Sequence, residues 1–240
     1  MAIAVRMTAS SESALSSPAL VINGAFGQRV ASLLAAGQAR DQVAPGGADA
    51  AAIAAAFAGA AGAVVAVLSG PDADVCERAD QLAFGCGKAW LPIVMAPPKV
   101  VRIGPLVCPP LGPCATCANR RRQQHDDLEG VSAAAEAVDQ PSVSSGPDGF
   151  LPHHARLAAA IARGMLSALG SGAPGEQNVY LSTQFTIRMS SSAVSTARVV
   201  SCHDCCRCRA GSPSRSARDY RPLLSRTATI RRVLATEAAR

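Results

Sequence analysis

Short apolar runs alternate with helical stripes along the chain, starting at residue 18. In "PALVINGAFGQRVASLLAAGQ" (18–38), Ala19 to Ile22 form the continuous apolar run of a strand buried on both faces. Gly24 and Gly27 then make a turn. Val30, Leu33 and Leu34 follow at helical spacing, and Gly37 offers a C-cap. "DAAAIAAAFAGAA" (49–61) reads as an alanine-rich helix and "GAVVAVLS" (62–69) as a second buried strand. "PDADVCERADQLAFGCG" (71–87) opens on proline and acids, as helices do. "AWLPIVMAPPKVVRIGPLVCP" (89–109) gives two short strands around Pro97-Pro98.

"PHHARLAAAIARGMLSALG" (152–170) is the clearest helix, with a stripe of Leu157, Ile161, Met165, Leu166 and Leu169 ended by Gly170. "NVYLSTQFTIRM" (178–189) alternates as a strand does, and "ARVVSC" (197–202) leads into a cysteine cluster. Helix alternating with apolar strand predicts an α/β protein with a mostly parallel sheet over 18–107. The expected organisation is a flexible lead at 1–17, an α/β domain at 18–129 and a small, polar, Pro/Gly-rich linker at 130–150. A C-terminal part with helix, strand and cysteine knuckle follows at 151–209, then an arginine-rich tail at 210–240, expected to be disordered.

Composition sharpens this picture. Hydrophobic residues make up 49% of the 240, but aromatics only 3%. The core must therefore come from Ala, Val and Leu, and alanine buries little area. Marginal stability, reinforced by a metal or a partner, is the expectation. The net charge of +6 is concentrated: residues 210–240 carry seven Arg against Asp219 and Glu237, or +5. The body is near neutral, which argues against nucleic-acid binding. The nearest approach to a membrane span, "ADAAAIAAAFAGAAGAVVAVLSG" (48–70), is too rich in alanine, and the first 18 residues lack the apolar run of a signal peptide. A cytoplasmic location with no membrane contact is expected. There, nine cysteines point to metal or redox chemistry rather than disulfides.

Cys114-x-x-Cys117 and Cys205-x-x-Cys208 are two knuckles of the kind that bring four thiolates to one tetrahedral ion, usually structural zinc. Cys202-x-x-Cys205 also fits, as does a Cys206/Cys208 pairing with His203 as ligand or outer partner. Arg120, Arg121, Arg122, Arg207 and Arg209 flank the knuckles, where they suit compensation of a −2 tetrathiolate. Neither knuckle is expected to follow a strand and open a helix, which argues against thioredoxin-like use. Cys76, Cys86 and Cys108 read as buried small residues. A tetrathiolate site is closed to water, so it staples rather than catalyses.

"VINGAFGQRV" is an incomplete dinucleotide turn: Ile22 stands where the first glycine of G-x-G-x-x-G belongs, leaving Gly24 and Gly27 as a degenerate cofactor site. Only Asp41 could serve a ribose, and no P-loop lysine follows, so the sequence argues against ATP on this chain. His153 and His154 open a helix, one of them exposed, and His125-Asp126-Asp127 reads as a charged helix end. No residue is assigned a catalytic role.

Taken together, the glycine turn, "RIGPLVCPPLGPCATCANRRRQQHD", the helix at "ARLAAAIARGML" and the end "CHDCCRC" resemble the ThiF-like proteins of azole-forming peptide natural-product clusters. These are distant relatives of the ubiquitin-activating enzymes. The likeness spans about 18–209 and is strongest over 102–125. It implies a Rossmann-type sheet with a zinc-stapled C-terminal part, and a noncatalytic scaffold. Such a scaffold presents a ribosomal precursor peptide to a YcaO cyclodehydratase and stimulates azoline formation from Cys, Ser or Thr. A homodimer is compatible with that role. The 17 residues before the first strand are too few for the winged-helix segment many such proteins use to clasp the leader peptide, so leader binding is expected to be absent or supplied by another protein. The alternatives are an active adenylating enzyme of the same fold, or a zinc-ribbon interaction protein.

Overall fold

The computed structural model describes residues 18–35, 49–96, 99–124, 149–170 and 179–211, with backbone only for 170 and 209–211. Strands β1 (Ala19–Asn23), β2 (Ala63–Leu68) and β3 (Ala89–Ala96) lie side by side and parallel. β4 (Val100–Ile103), β5 (Thr183–Arg188) and β6 (Val194–Arg198) extend the sheet in chain order, each antiparallel to its neighbour. The α/β class stands, and the parallel part is the first half of a mixed sheet. The reason is local. Ala96 pairs with Val100, and so short a connection can only return antiparallel; a parallel return needs a crossover of a dozen residues or more.

Burial on both faces explains the unbroken apolar runs. Leu20, Val65, Val67, Leu91 and Ile93 pack toward α1 (Gly24–Ala35) and α5 (Pro152–Gly170). Their neighbours Val21, Val64, Leu68 and Trp90 pack toward α2 (Ala50–Gly59) and α3 (Ala73–Cys86). Asp49 caps α2 and Asp72 caps α3, accepting from Ala52 N at 2.6 Å and Val75 N at 2.9 Å. The stretch 48–70 is thus a helix followed by a strand, and no described helix is long and apolar enough to cross a membrane.

Three local readings differ from the structure. In α5 the innermost face is Ala155, Ala158, Ala162 and Met165, while Leu157, Ile161 and Leu169 are only partly buried. Alanines let the helix lie close to the sheet and α1, and the leucines fill the flanks. The strand expected at 178–189 is a helical turn at 179–181, whose Tyr180 carbonyl accepts from Leu106 N at 3.2 Å, followed by β5. Two elements carry no apolar period: α4 (Ala115–Gln124), of which only a charged end at 125–127 was expected, and β6, which was not expected and whose five residues are all exposed. The lead 1–17, most of the linker, the histidine-acid triplet 125–127 and the tail beyond 211 lie outside the described residues.

Candidate metal centre

The first knuckle sits where α4 begins. After the turn closed by Leu111 N donating to Cys108 O at 2.7 Å, the chain enters α4 with Cys114 just before its first residue. The opening amides of a helix need acceptors. Here they come from another helix: Ala115 N and Thr116 N donate to Asp80 of α3 at 3.2 and 2.9 Å. The Thr116 hydroxyl and the indole of Trp90 donate to the same carboxylate at 2.8 and 3.0 Å. Asp80 is fully buried, and these four donors satisfy it.

The second knuckle is tied down by backbone and arginine. Val199 N donates to Ser182 O at 2.7 Å. Arg121 donates to the carbonyls of Val200 and Ser201, both at 3.3 Å, and Arg120 pairs with Asp204 at 3.2 Å. The chain then enters α6 (Cys206–Gly211). Both knuckles therefore open helices, contrary to the sequence reading, because prolines and glycines before Cys114 hid the helix start.

The sulfurs of Cys114, Cys117, Cys205 and Cys208 all lie within 4.8 Å of one another, and all four residues are buried. Cys114 and Cys205 are 3.7 Å apart, as are Cys117 and Cys208. A tetrahedron with metal–sulfur bonds of about 2.3 Å has edges of about 3.8 Å, so these spacings fit a tetrathiolate. Backbone amides point at the sulfurs: Cys114 N at Cys208 Sγ (3.2 Å), Cys117 N at Cys114 Sγ (3.4 Å) and Cys202 N at Cys117 Sγ (3.2 Å). These four close cysteines could hold a metal ion.

The proton balance of the cluster shows why it suits a cation. Sulfur–sulfur hydrogen bonding and burial push Cys114 and Cys117 above the ordinary thiol value, and Cys208 to about 12. Cys205 is held down to about 7: burial opposes this most strongly, but the Cys208 amide and the three other thiols outweigh it. Raised values at three of the four thiols mark a buried volume that resists several thiolates at once; a divalent ion makes four thiolates tolerable.

Arg207, half-buried between the ligand positions of the second knuckle, donates to both Glu77 oxygens at 2.7 Å and to Thr116 Oγ1 at 3.2 Å. That guanidinium, acting against the opposing effect of burial, holds the Glu77 carboxyl down to about 2. Arg207 thus links α6, α3 and α4. Glu77, Asp80 and Thr116 were not singled out from the sequence. The available signal was Asp80 falling on the apolar stripe Cys76–Ala79–Ala83 of α3.

Of the alternatives, Cys202 is buried beside the cluster but contributes its amide, with its thiol 3.9 Å from Cys117 O. Cys206 and His203 are exposed. Cys76 is buried and raised by burial to about 12, Cys108 is half-buried, and Cys86 is exposed rather than buried. His153 is exposed and His154 buried, accepting Leu151 N at 3.1 Å on Nδ1. Arg122 lies away from the sulfurs, in the cavity described below.

The glycine turn is occupied by the protein itself. Ser69 Oγ donates to Asn23 O at 2.7 Å and accepts Gly27 N at 3.3 Å. A Cβ on Gly24 would stand 2.3 Å from that oxygen, and one on Gly27 2.7 Å from Val67 O. Both glycines are explained by close approach of the chain, Gly24 to Ser69 just after β2 and Gly27 to β2 itself.

The mixed sheet with helices on both faces is shared with parts of solved heterocyclases and of a microcin synthetase complex. It is similar to a heterocyclase in complex with substrate and cofactor, with a TM-score of 0.54 and 12% identity over 82% of this chain and 26% of that one. The heterocyclase TruD matches with a TM-score of 0.51 and 15% identity over 88% of this chain and 33% of its own. The E. coli microcin synthetase McbBCD complex matches with 0.50 and 12% identity, over 83% and 71%. The likeness read from the glycine turn and cysteine segments is thereby shown as a shared fold. The chain spans 26% and 33% of the two heterocyclases' length. No family model and no curated protein matches the sequence.

Proposed function

We propose that the chain is a noncatalytic scaffold subunit of a peptide-modifying assembly, with Cys114, Cys117, Cys205 and Cys208 holding one structural zinc. On this reading it presents a ribosomal precursor peptide to a YcaO cyclodehydratase, which converts Cys, Ser or Thr to azolines. The carrying observation is the closed set of four buried sulfurs on a heterocyclase-like fold. A closed tetrathiolate has no open position for water and serves structure. Bound there, zinc would neutralise the thiolates and join the start of α4 to the loop after β6. The filled glycine turn supports the noncatalytic reading, since Ser69 takes the Gly27 amide that an anion would use.

The test is reconstitution of the chain with a YcaO cyclodehydratase and its precursor peptide, followed by mass spectrometry. Each azoline removes one water from the peptide. Loss of water that rises at least tenfold when the chain is added is the expected result. ATP–pyrophosphate exchange by the chain alone would replace this reading with an adenylating enzyme of the same fold.

A further inference from the structure

A second site lies on the other side of α4 from the sulfurs. A cavity of about 140 Å³ opens between the N-terminal turn of α3, one face of α4 and a floor of β3, β4 and β5. α4 supplies a stripe at helical spacing: Ala115 and Ala118 deep, then Asn119, Arg122 and Gln123 toward the mouth. Arg102 of β4 and Gln184 of β5 rise from the floor, with Gln184 held by its Nε2 donating to Gly104 O at 3.1 Å.

The lining chemistry selects a ligand. Among the described residues the cavity gathers the guanidinium groups of Arg102 and Arg122 against the single carboxylate of Asp72, a net charge of +1. A guanidinium carries five donors, so a residue already engaged once can still bind an oxyanion in a fork. Side-chain amides beside them add neutral donors. The apolar depth, with Ala115, Ala118 and Pro92, offers no further charge. At about 140 Å³ the cavity is below the roughly 300–1,000 Å³ of sites for drug-sized ligands, which suits a carboxylate and the few carbons behind it.

We propose that this cavity is a carboxylate-binding site that receives an acidic group from a peptide or protein, with Arg102 and Arg122 as its anchors. It goes beyond the scaffold reading and stands apart from the metal, since none of its polar residues is a proposed ligand. Two sources supply the same chemistry: an acidic side chain or a C-terminal carboxylate.

Calorimetric titration of the full chain separates them. The probes are an acetylated, amidated tripeptide with a central glutamate, an acetylated trialanine with a free C-terminus, the same trialanine amidated, and inorganic phosphate. At least one of the two carboxylate peptides should bind ten times or more tighter than the neutral one, and its identity names the source. Arg102→Gln and Arg122→Gln should each weaken that binding about tenfold. Should either disturb folding, Asn119→Asp places a carboxylate in the cavity at nearly constant size; it should abolish binding while leaving the melting temperature in place. Equal binding of the neutral peptide, preference for phosphate, or unchanged binding by the folded variants overturns the proposal.

Discussion

The sheet body and the cysteine knot are held together by different physics. The body buries two apolar layers, one on each face of the sheet, built from Val, Leu, Ile and alanine helices. The knot has almost no apolar support: five cysteines and the edge of Phe84. Hydrogen bonds, one buried carboxylate and the Glu77–Arg207 fork do what a core does elsewhere. The body should therefore respond to packing changes and the knot to charge, metal and polar changes.

The largest separation is expected from the sulfurs. Metal binding at such sites is on the order of 10 kcal/mol, and this free energy goes into folding. Cys114→Ser with Cys117→Ser should lower the melting temperature by about 10 °C or more in calorimetry, with α4 and the 199–208 loop losing hydrogen-exchange protection first. Next comes Asp80→Ala, which leaves the Trp90 indole and two helix amides without their acceptor in a fully buried site. Urea melts followed by fluorescence of the single Trp90 should show a loss of about 3 kcal/mol.

Gly27→Ala tests the opposite region. Its Cβ would meet Val67 O at 2.7 Å and Ile22 Cγ2 at 2.9 Å, so about 1–3 kcal/mol should be lost from the body while the metal content stays the same. Glu77→Gln gives a smaller, pH-dependent effect. Glu77 titrates near 2 when folded and near its ordinary 4.5 when unfolded. Its contribution is thus complete above about pH 5 and is lost as pH falls toward 2. The stability gap between wild type and Glu77→Gln should be wider at pH 6 than at pH 3 in urea melts. Arg120→Ala should change least, within about 0.5 kcal/mol, because its pair with Asp204 is exposed on both sides.

The same contrast governs what could be read from the sequence. The parallel strands were legible because two-sided burial leaves an apolar run. The knuckle cysteines were visible through their spacing alone. α4 was not: its face toward the core is Ala115, Cys117 and Ala118, and the rest is polar and basic, so it has no apolar stripe to announce it. β6 pairs only along one edge and buries nothing, which removes the period-two signal. The turn of the sheet from parallel to antiparallel follows from the short connection after Ala96, marked in the sequence by the two strands around Pro97-Pro98. Most of all, Asp80 meets Ala115 across 35 positions of chain and Glu77 meets Arg207 across 130, juxtapositions only the fold creates.

Whether a metal holds the far end of the chain to the sheet is read most directly from the ion content of the purified, chelator-free protein. Elemental analysis by plasma mass spectrometry should find one zinc per chain, dropping to none in Cys114→Ser with Cys117→Ser. A metal-free protein that melts in one sharp transition, with the 199–208 loop protected from exchange, would contradict it.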